Sequence, residues 1–229
     1  MFKTYVMHYS RSKERREHIV SQLEQQKIHD YFFVSKHDAE DLNEEIIDKY
    51  YIDDKKMCDK YSEVTLKHNN CSDSVYKKLS RASISLCIKH TKALQYFIDS
   101  KSSYALFIED DCIFYNNPNI LSVDDIIYFA PTNWDIIFIG GAFDHSILPI
   151  NKTMGNYILS DHPATNTTSS FIINKQSAIK IMSSLLPFYL PIDWQLNHVF
   201  QKNKLTVYHT NPYICGQLSN RGIEGTVER

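Results

Sequence analysis

Short runs of β-branched and aromatic residues alternate with stretches of helical spacing, and this alternation constrains the 229-residue chain more than any other feature. KTYVMH (3–8) reads as a buried first strand. Ser10-Arg-Ser-Lys-Glu-Arg-Arg then opens a helix with Ile19, Val20 and Leu23 as its apolar stripe and Ser10 or Ser12 placed to cap it. YFFVS (31–35) is a second strand, and strand–helix–strand in that order opens a parallel α/β sheet. The pattern resumes with a helix over about 80–99, where Ile84, Cys87, Ile88, Thr91, Leu94 and Ile98 recur at helical spacing. It continues through the strand ALFI (105–108), a helix over 123–129, and the strands WDIIFIGG (134–141) and SSFIIN (169–174). Helices over 175–186 and 193–202 and a short strand over 205–209 complete it. Residues 36–74 are polar and weakly periodic, lack the Gly/Ser/Pro bias of a flexible linker, and read as a surface insertion with short helices around 44–51. The expected fold is one α/β domain over 1–229, with a mostly parallel central sheet flanked by helices and a polar tail at 216–229.

Composition removes several function classes. Lys plus Arg number 25 against 27 Asp plus Glu, a net charge of −2, so the basic excess of a phosphate-neutralising nucleic-acid binder is missing. Six glycines fall well short of the usual share of roughly 7%. Neither GxGxxG nor GxxxxGKS/T occurs, which argues against glycine-rich phosphate cradles. No window approaches the roughly 18 apolar residues of a membrane span, and the N-terminal apolar stretch is too short for a signal sequence, so a cytoplasmic protein is expected. Without a leader, the glycosylation sequons at Asn70, Asn151 and Asn166 are read as chance. Cys58, Cys71, Cys87, Cys112 and Cys215 are odd in number and form no CxxC, so free thiols are expected rather than disulfides or a zinc ribbon. The Lys, Ile, Asn and Tyr usage fits an AT-rich genome, bacterial or viral.

The strongest chemical signal is Glu109-Asp110-Asp111, which directly follows Ala105-Leu-Phe-Ile. Ligands of open α/β sheets bind at the carboxyl ends of strands, where this triplet sits. Side chains alternate along an extended segment, so Glu109 and Asp111 point the same way. Two hard carboxylates on one face suit Mg²⁺ or Mn²⁺ bridged to a diphosphate. An acidic turn facing water is the structural alternative, and similar clusters serve nucleases and nucleotidyltransferases.

Six segments in order resemble glycosyltransferase family 25, which contains bacterial lipooligosaccharide galactosyltransferases and the collagen hydroxylysine galactosyltransferases. VMHYSRSKERRE (6–17) resembles the family's strand-end Asn-Leu step with two spaced arginines: Arg11 and Arg15 fill the arginine places, while His8 and Tyr9 replace Asn-Leu. LSRASISLCIKHTKAL (79–94) resembles its Gly-Glu-Ile-Gly-Cys…Ser-His helix, with His90 on the histidine and Ala82, Ser83, Ser85 and Lys89 departing from Gly, Glu, Gly and Ser. ALFIEDD (105–111) is similar to its acidic motif, and TSSFIINKQSAIKIM (168–182) to a Thr-rich strand before an Ala-containing helix. LPIDWQL (190–196) puts Asp193 on the Pro-x-Asp aspartate, and NPYICGQLS (211–219) resembles the Pro…Gln…Ser ending. The resemblance spans residues 2 to about 220; only 36–74 lacks a counterpart.

The resemblance implies a GT-A-type fold, with a nucleotide-sugar half over about 1–115 and an acceptor half over about 116–220. It implies a UDP-sugar donor, most often UDP-galactose with UDP-glucose the other choice, and a divalent metal, Mn²⁺ or Mg²⁺, at Glu109 and Asp111. The acceptor is then a hydroxyl on a glycan or protein, with Asp193 as the carboxylate that takes its proton in an inverting transfer. Arg11 and Arg15 fit uracil, ribose or phosphate. Asp110 and His90 join the nucleotide-sugar site on the same ground, and His209 is the candidate third metal ligand. Gly140-Gly141, the chain's only such pair, offers close backbone approach to a sugar or else a tight turn. Thr167, Thr168 and Ser169 offer hydroxyls, and Phe188, Tyr189 and Trp194 an acceptor platform, with strand filler and core packing as the ordinary readings. Oligomeric state stays open, a homodimer included. Two other function classes remain beside the transferase: a catalytically silent GT-A-like binding module, and a metal-dependent nucleotidyl or phosphoryl transferase resting on the acids alone.

Overall fold

A computed structural model describes residues 2–69, 74, 76–116, 121–142, 144–165 and 167–218. The chain runs β1 (Lys3–Met7), α1 (Lys13–Gln25), β2 (Tyr31–Val34), α2 (Glu44–Tyr50), α3 (Lys55–His68), α4 (Arg81–Asp99), β3 (Tyr104–Glu109) and β4 (Cys112–Phe114). It continues with α5 (Val123–Tyr128), β5 (Ile136–Phe138), β6 (Ile150–Met154), β7 (Tyr157–Ser160), β8 (Ser170–Asn174), α6 (Lys175–Leu185), α7 (Ile192–Lys202), β9 (Val207–Thr210) and β10 (Cys215–Gln217). The main sheet has the order β2-β1-β3-β8-β5-β9-β7-β6, and β10 pairs with β4 in a separate antiparallel ribbon.

The central strands are near-continuous apolar runs because both faces are covered. Alternation along each strand sends Tyr5, Phe107, Phe138 and Phe171 into one core with Phe97 of α4 and Phe200 of α7. Val6, Leu106, Ile108, Ile137 and Ile172 face the other way, against Ile19 and Leu23 of α1 and Ile126 of α5. α1 and α4 each start on a side-chain cap: Ser12 accepts from the Arg15 N–H and Ser80 from the Ser83 N–H.

The expected α/β sheet with flanking helices is present, but its strand directions are mixed rather than mostly parallel. β1 runs parallel to both β2 and β3, and β5 to β9, whereas β8 is antiparallel to β3 and β5, and β7 to β6 and β9. Between β5 and β8 the chain makes the β6–β7 hairpin instead of a helical crossover, and only a crossover returns a strand in the parallel sense. The hairpin strands, β4 and β10 are the strands that sequence patterning misses. Gly216 and Gln217, assigned to the tail, belong to β10; Cys71, Asn70, Asn166 and 219–229 lie outside the described residues.

Residues 36–74 are not a surface insertion alone. Tyr50, Tyr51 and Cys58 are buried, the Phe188 N–H donates to the Tyr50 carbonyl at 2.7 Å, and the Ile52 N–H donates to the Phe188 carbonyl at 3.0 Å. On α3, Tyr61 stacks on His198 of α7 with ring centroids 3.8 Å apart, and the Asn197 side chain donates to the Thr65 hydroxyl. Cys58, Cys87, Cys112 and Cys215 are buried free thiols. Among the described residues no helix is long and apolar enough to cross a membrane.

Candidate active site

β1 and β3 lie side by side in the same direction, so their carboxyl ends meet, and the Asp110 N–H donates to the Met7 carbonyl at 3.1 Å. Above that edge lies a cavity of about 520 Å³. Its walls come from the end of β1 (Met7, His8, Tyr9), Arg15 of α1, the first two turns of α4, Glu109–Asp111, Thr167 and Thr168 before β8, Pro191–Asp193 at the start of α7, and Gln217 of β10. Segments about a hundred residues apart thus converge at the strand end that the acidic triplet marks.

The three acids of the triplet have different surroundings. The Glu109 side chain lines the cavity, and its Oε1 accepts from the Thr168 hydroxyl at 3.0 Å. Asp111 is buried with its Oδ1 lacking any hydrogen-bond partner. Burial, then the neighbouring Glu109 charge, pushes its pKa up to about 7. Asp110 is saturated instead: Oδ2 takes His8 Nδ1 at 2.8 Å and the Tyr9 N–H at 2.8 Å, while Oδ1 takes Arg15 at 2.9 Å. Burial alone would raise Asp110, but these partners outweigh it and hold the carboxyl below its usual range. Asp110 therefore ties the β1–α1 turn to β3, and its expected place as a nucleotide ligand is filled by protein groups.

The cavity carries a second buried ionic group that the sequence reading treats only as a departure from the family pattern. Lys89 of α4 donates to the His8 carbonyl at 2.7 Å and pairs with the fully buried Asp38, which also accepts from the Ser10 side chain and, at 3.1 Å, from its N–H. Asp38 lies in the polar stretch where no periodicity signals burial. His37 before it has a left-handed φ of 70°, and its carbonyl accepts from the Ser85 hydroxyl at 2.6 Å, which turns Asp38 under α4. Residues 8–10 are thus clamped from both sides, by Asp110 and by the Lys89–Asp38 pair.

Asp193 sits in the first turn of α7, not at its cap, since Pro191 occupies that place. Asp193 lines the cavity, and its carboxylate accepts from the Trp194 N–H at 3.0 Å. Burial raises its pKa, and the Glu109 charge adds to the effect against that hydrogen bond. His90 is buried behind the wall, with Nε2 3.5 Å from Glu109 Oε1.

Other expected site residues lie elsewhere. Arg11 points to the surface and pairs with Asp41 at 2.8 Å, both half-exposed, and is not part of the cavity wall; Arg15, one helical turn later, is. Gly140 does not face the cavity. A Cβ there would stand 2.4 Å from the Ser170 hydroxyl and 2.7 Å from the Cys215 carbonyl, so its smallness serves the bridge to β10. Gly141 beside it is buried and also outside the wall. His209 is fully buried, with Nδ1 on the Tyr213 hydroxyl and Nε2 on the Ala164 carbonyl, each at 2.8 Å, and burial pushes its pKa down to about 3. Both nitrogens being taken, it is no metal ligand in this fold. Phe188 is core, and Tyr189 packs against Tyr61 rather than lining the cavity; neither they nor Trp194 form its wall.

A hard divalent cation fits the donor set. Glu109 and Asp111 supply oxygen ligands, and the partnerless Asp111 Oδ1 is a buried acceptor with nothing else to satisfy it. Among the described residues no third His, Cys, Asp or Glu gathers with them into a metal-holding group, so the remaining ligands would be substrate oxygens and water.

The family model described as glycosyltransferase family 25 (LPS biosynthesis protein) matches residues 1–196. No curated protein sequence matches the chain. Among solved structures, a protein from STIV aligns with 91% of this chain and 81% of its own at 10% identity and a TM-score of 0.49. A Drosophila β1,4-galactosyltransferase 7 mutant in complex with manganese, UDP-Gal and xylobiose aligns over 100% and 76% at 11% identity and a TM-score of 0.42. A glycosyltransferase involved in glycosylation of the major capsid of PBCV-1 aligns over 92% and 93% at 9% identity and a TM-score of 0.41.

Proposed function

Since the chain belongs to glycosyltransferase family 25, we propose that it moves a hexose, galactose before glucose, from a UDP-sugar to a hydroxyl of a glycan or protein, with inversion at the transferred carbon. The observation that carries this reading is that Glu109, Asp111 and Asp193 all line one cavity. The first two come from the proposed nucleotide-sugar half (about 1–115), the third from the proposed acceptor half (about 116–220).

Each residue has a role that its surroundings support. Glu109 and Asp111 would hold Mn²⁺ or Mg²⁺ against the donor diphosphate. When bound, such a cation supplies Lewis-acid neutralisation of the charge developing on the leaving UDP. Arg15 lines the same cavity, while Asp110 holds its guanidinium in one place. Asp193 takes the proton of the acceptor hydroxyl as that oxygen attacks the anomeric carbon from the face opposite the leaving group. Burial raises its pKa, so its carboxylate is a stronger base than that of a solvated aspartate.

The test is UDP release from UDP-galactose and UDP-glucose with Mn²⁺, with and without a panel of hydroxyl acceptors. Release of UDP that depends on Mn²⁺ and is lost in Asp111→Ala supports the reading. Pyrophosphate release would instead favour nucleotidyl transfer, and UDP binding without turnover on any acceptor would favour a silent binding module.

A further inference from the structure

We propose that His90 and Thr168 are positioning residues that aim Glu109 at its metal. The inference rests on the reading of Glu109 as a metal ligand and adds how one oxygen of its carboxylate is selected for that task.

Glu109 Oε1 faces two donors from different elements. The Thr168 hydroxyl, 3% exposed and just before β8, donates to it at 3.0 Å. His90 Nε2, on α4, stands 3.5 Å from the same oxygen. That nitrogen is buried and has no hydrogen-bond partner. A buried ring N–H without a partner is destabilising, so its placement asks for a function. The imidazole has little freedom: it is 1% exposed and lies nearly parallel to Phe171, at 12° with centroids 6.2 Å apart. A small rotation of the Glu109 carboxylate closes the 3.5 Å gap, whereas the ring itself is held by Phe171 and the helix.

With Thr168 already donating to Oε1 and His90 closing on the same oxygen, Oε2 is left to turn into the cavity beside Asp111. Outer hydrogen bonds of this kind fix the orientation of a ligating carboxylate, and their removal typically weakens metal binding by about 10–100-fold. His90 acts here as an Nε2–H donor. It does not touch the substrate space, since the cavity wall passes in front of it.

The test measures Mn²⁺ itself, by the electron paramagnetic resonance signal of the free ion, titrated into the full chain with and without UDP. Thr168→Val and His90→Phe keep volume and ring stacking but remove the donors; each is expected to raise the Mn²⁺ dissociation constant about 10–100-fold. Thr168→Ser and His90→Gln, which restore a donor, are expected to recover most of the affinity. Glu109→Gln is the reference for loss of the ligand. If Thr168→Val and His90→Phe bind Mn²⁺ like the wild type while Glu109→Gln does not, the proposal is overturned and the ligand role of Glu109 stands. If Glu109→Gln binds as the wild type does, or the wild type binds no Mn²⁺, the ligand reading falls and the proposal with it. Should His90→Phe fail to fold, Thr168→Val decides alone.

Discussion

Asp111 carries a buried carboxyl whose pKa is pushed up to about 7, by burial first and then by the charge of Glu109 beside it. Burial and the neighbouring carboxylate both disfavour the ionised form of Asp111 in the metal-free protein. In the unfolded chain Asp111 has an ordinary pKa, so between about pH 4 and pH 7 the folded state binds the extra proton and stability of the metal-free protein falls as pH rises. Asp111→Asn removes that penalty while keeping the shape. It should raise the metal-free Tm at pH 8, by about 2–4 kcal/mol of stability, and abolish UDP release. Thermal melts at pH 5 and pH 8 check this; equal melting of the two proteins at pH 8 would refute it.

Asp110 has the opposite character. Its pKa is held low by His8, the Tyr9 N–H and Arg15 against the effect of burial. Its contribution to stability is therefore present above the ordinary aspartate pKa and is lost as pH falls through the lowered one. Removing one partner of a buried charge pair costs about 3–5 kcal/mol. Asp110→Ala should lose that order of stability in urea unfolding at pH 7, where Arg15 and His8 are left unpaired, and progressively less as the pH is lowered below the ordinary aspartate value.

Asp193→Asn tests the acceptor side. Loss of a general base lowers turnover by about 10²–10⁴-fold. The expected outcome is such a fall in kcat with acceptor present, while UDP and Mn²⁺ affinities stay near the wild-type values. A proportionate loss of UDP affinity would assign Asp193 to the donor instead.

Gly140→Ala probes a glycine whose reason is packing. The new methyl would meet the Ser170 hydroxyl and the Cys215 backbone at 2.4 and 2.7 Å. Overpacking of a dense interior costs about 1–3 kcal/mol. A lowered Tm with unchanged affinity for UDP is expected; a raised UDP dissociation constant at full stability would return Gly140 to the donor site.

Much of the fold was legible because local patterns carry it. The strands KTYVM, YFFV, ALFIE and SFIIN and the helix over 81–99 fall within a residue or two of their expected bounds, since apolar runs and helical stripes must be buried wherever they end up. The acidic triplet was legible for the same reason: its place at a strand end follows from the run before it. Sheet direction was not, because it depends on the β6–β7 hairpin, whose strand β6 is polar and mostly exposed.

The sequence by itself determined the alternation of strand and helix, the strand-end acids and the family. Only the tertiary structure decided how the charges share the work. Asp110 and Asp111 are neighbours in the chain with the same side chain, yet one is saturated by His8, Tyr9 and Arg15 and the other keeps a bare buried oxygen. Arg11 and Arg15 share a motif, yet only Arg15 reaches the cavity. Lys89 finds Asp38 across 51 residues, and His209 spends both nitrogens on Tyr213 and Ala164. Protonation and partnership are set by burial and by what lies within hydrogen-bond distance, and both quantities exist only once distant segments are packed together.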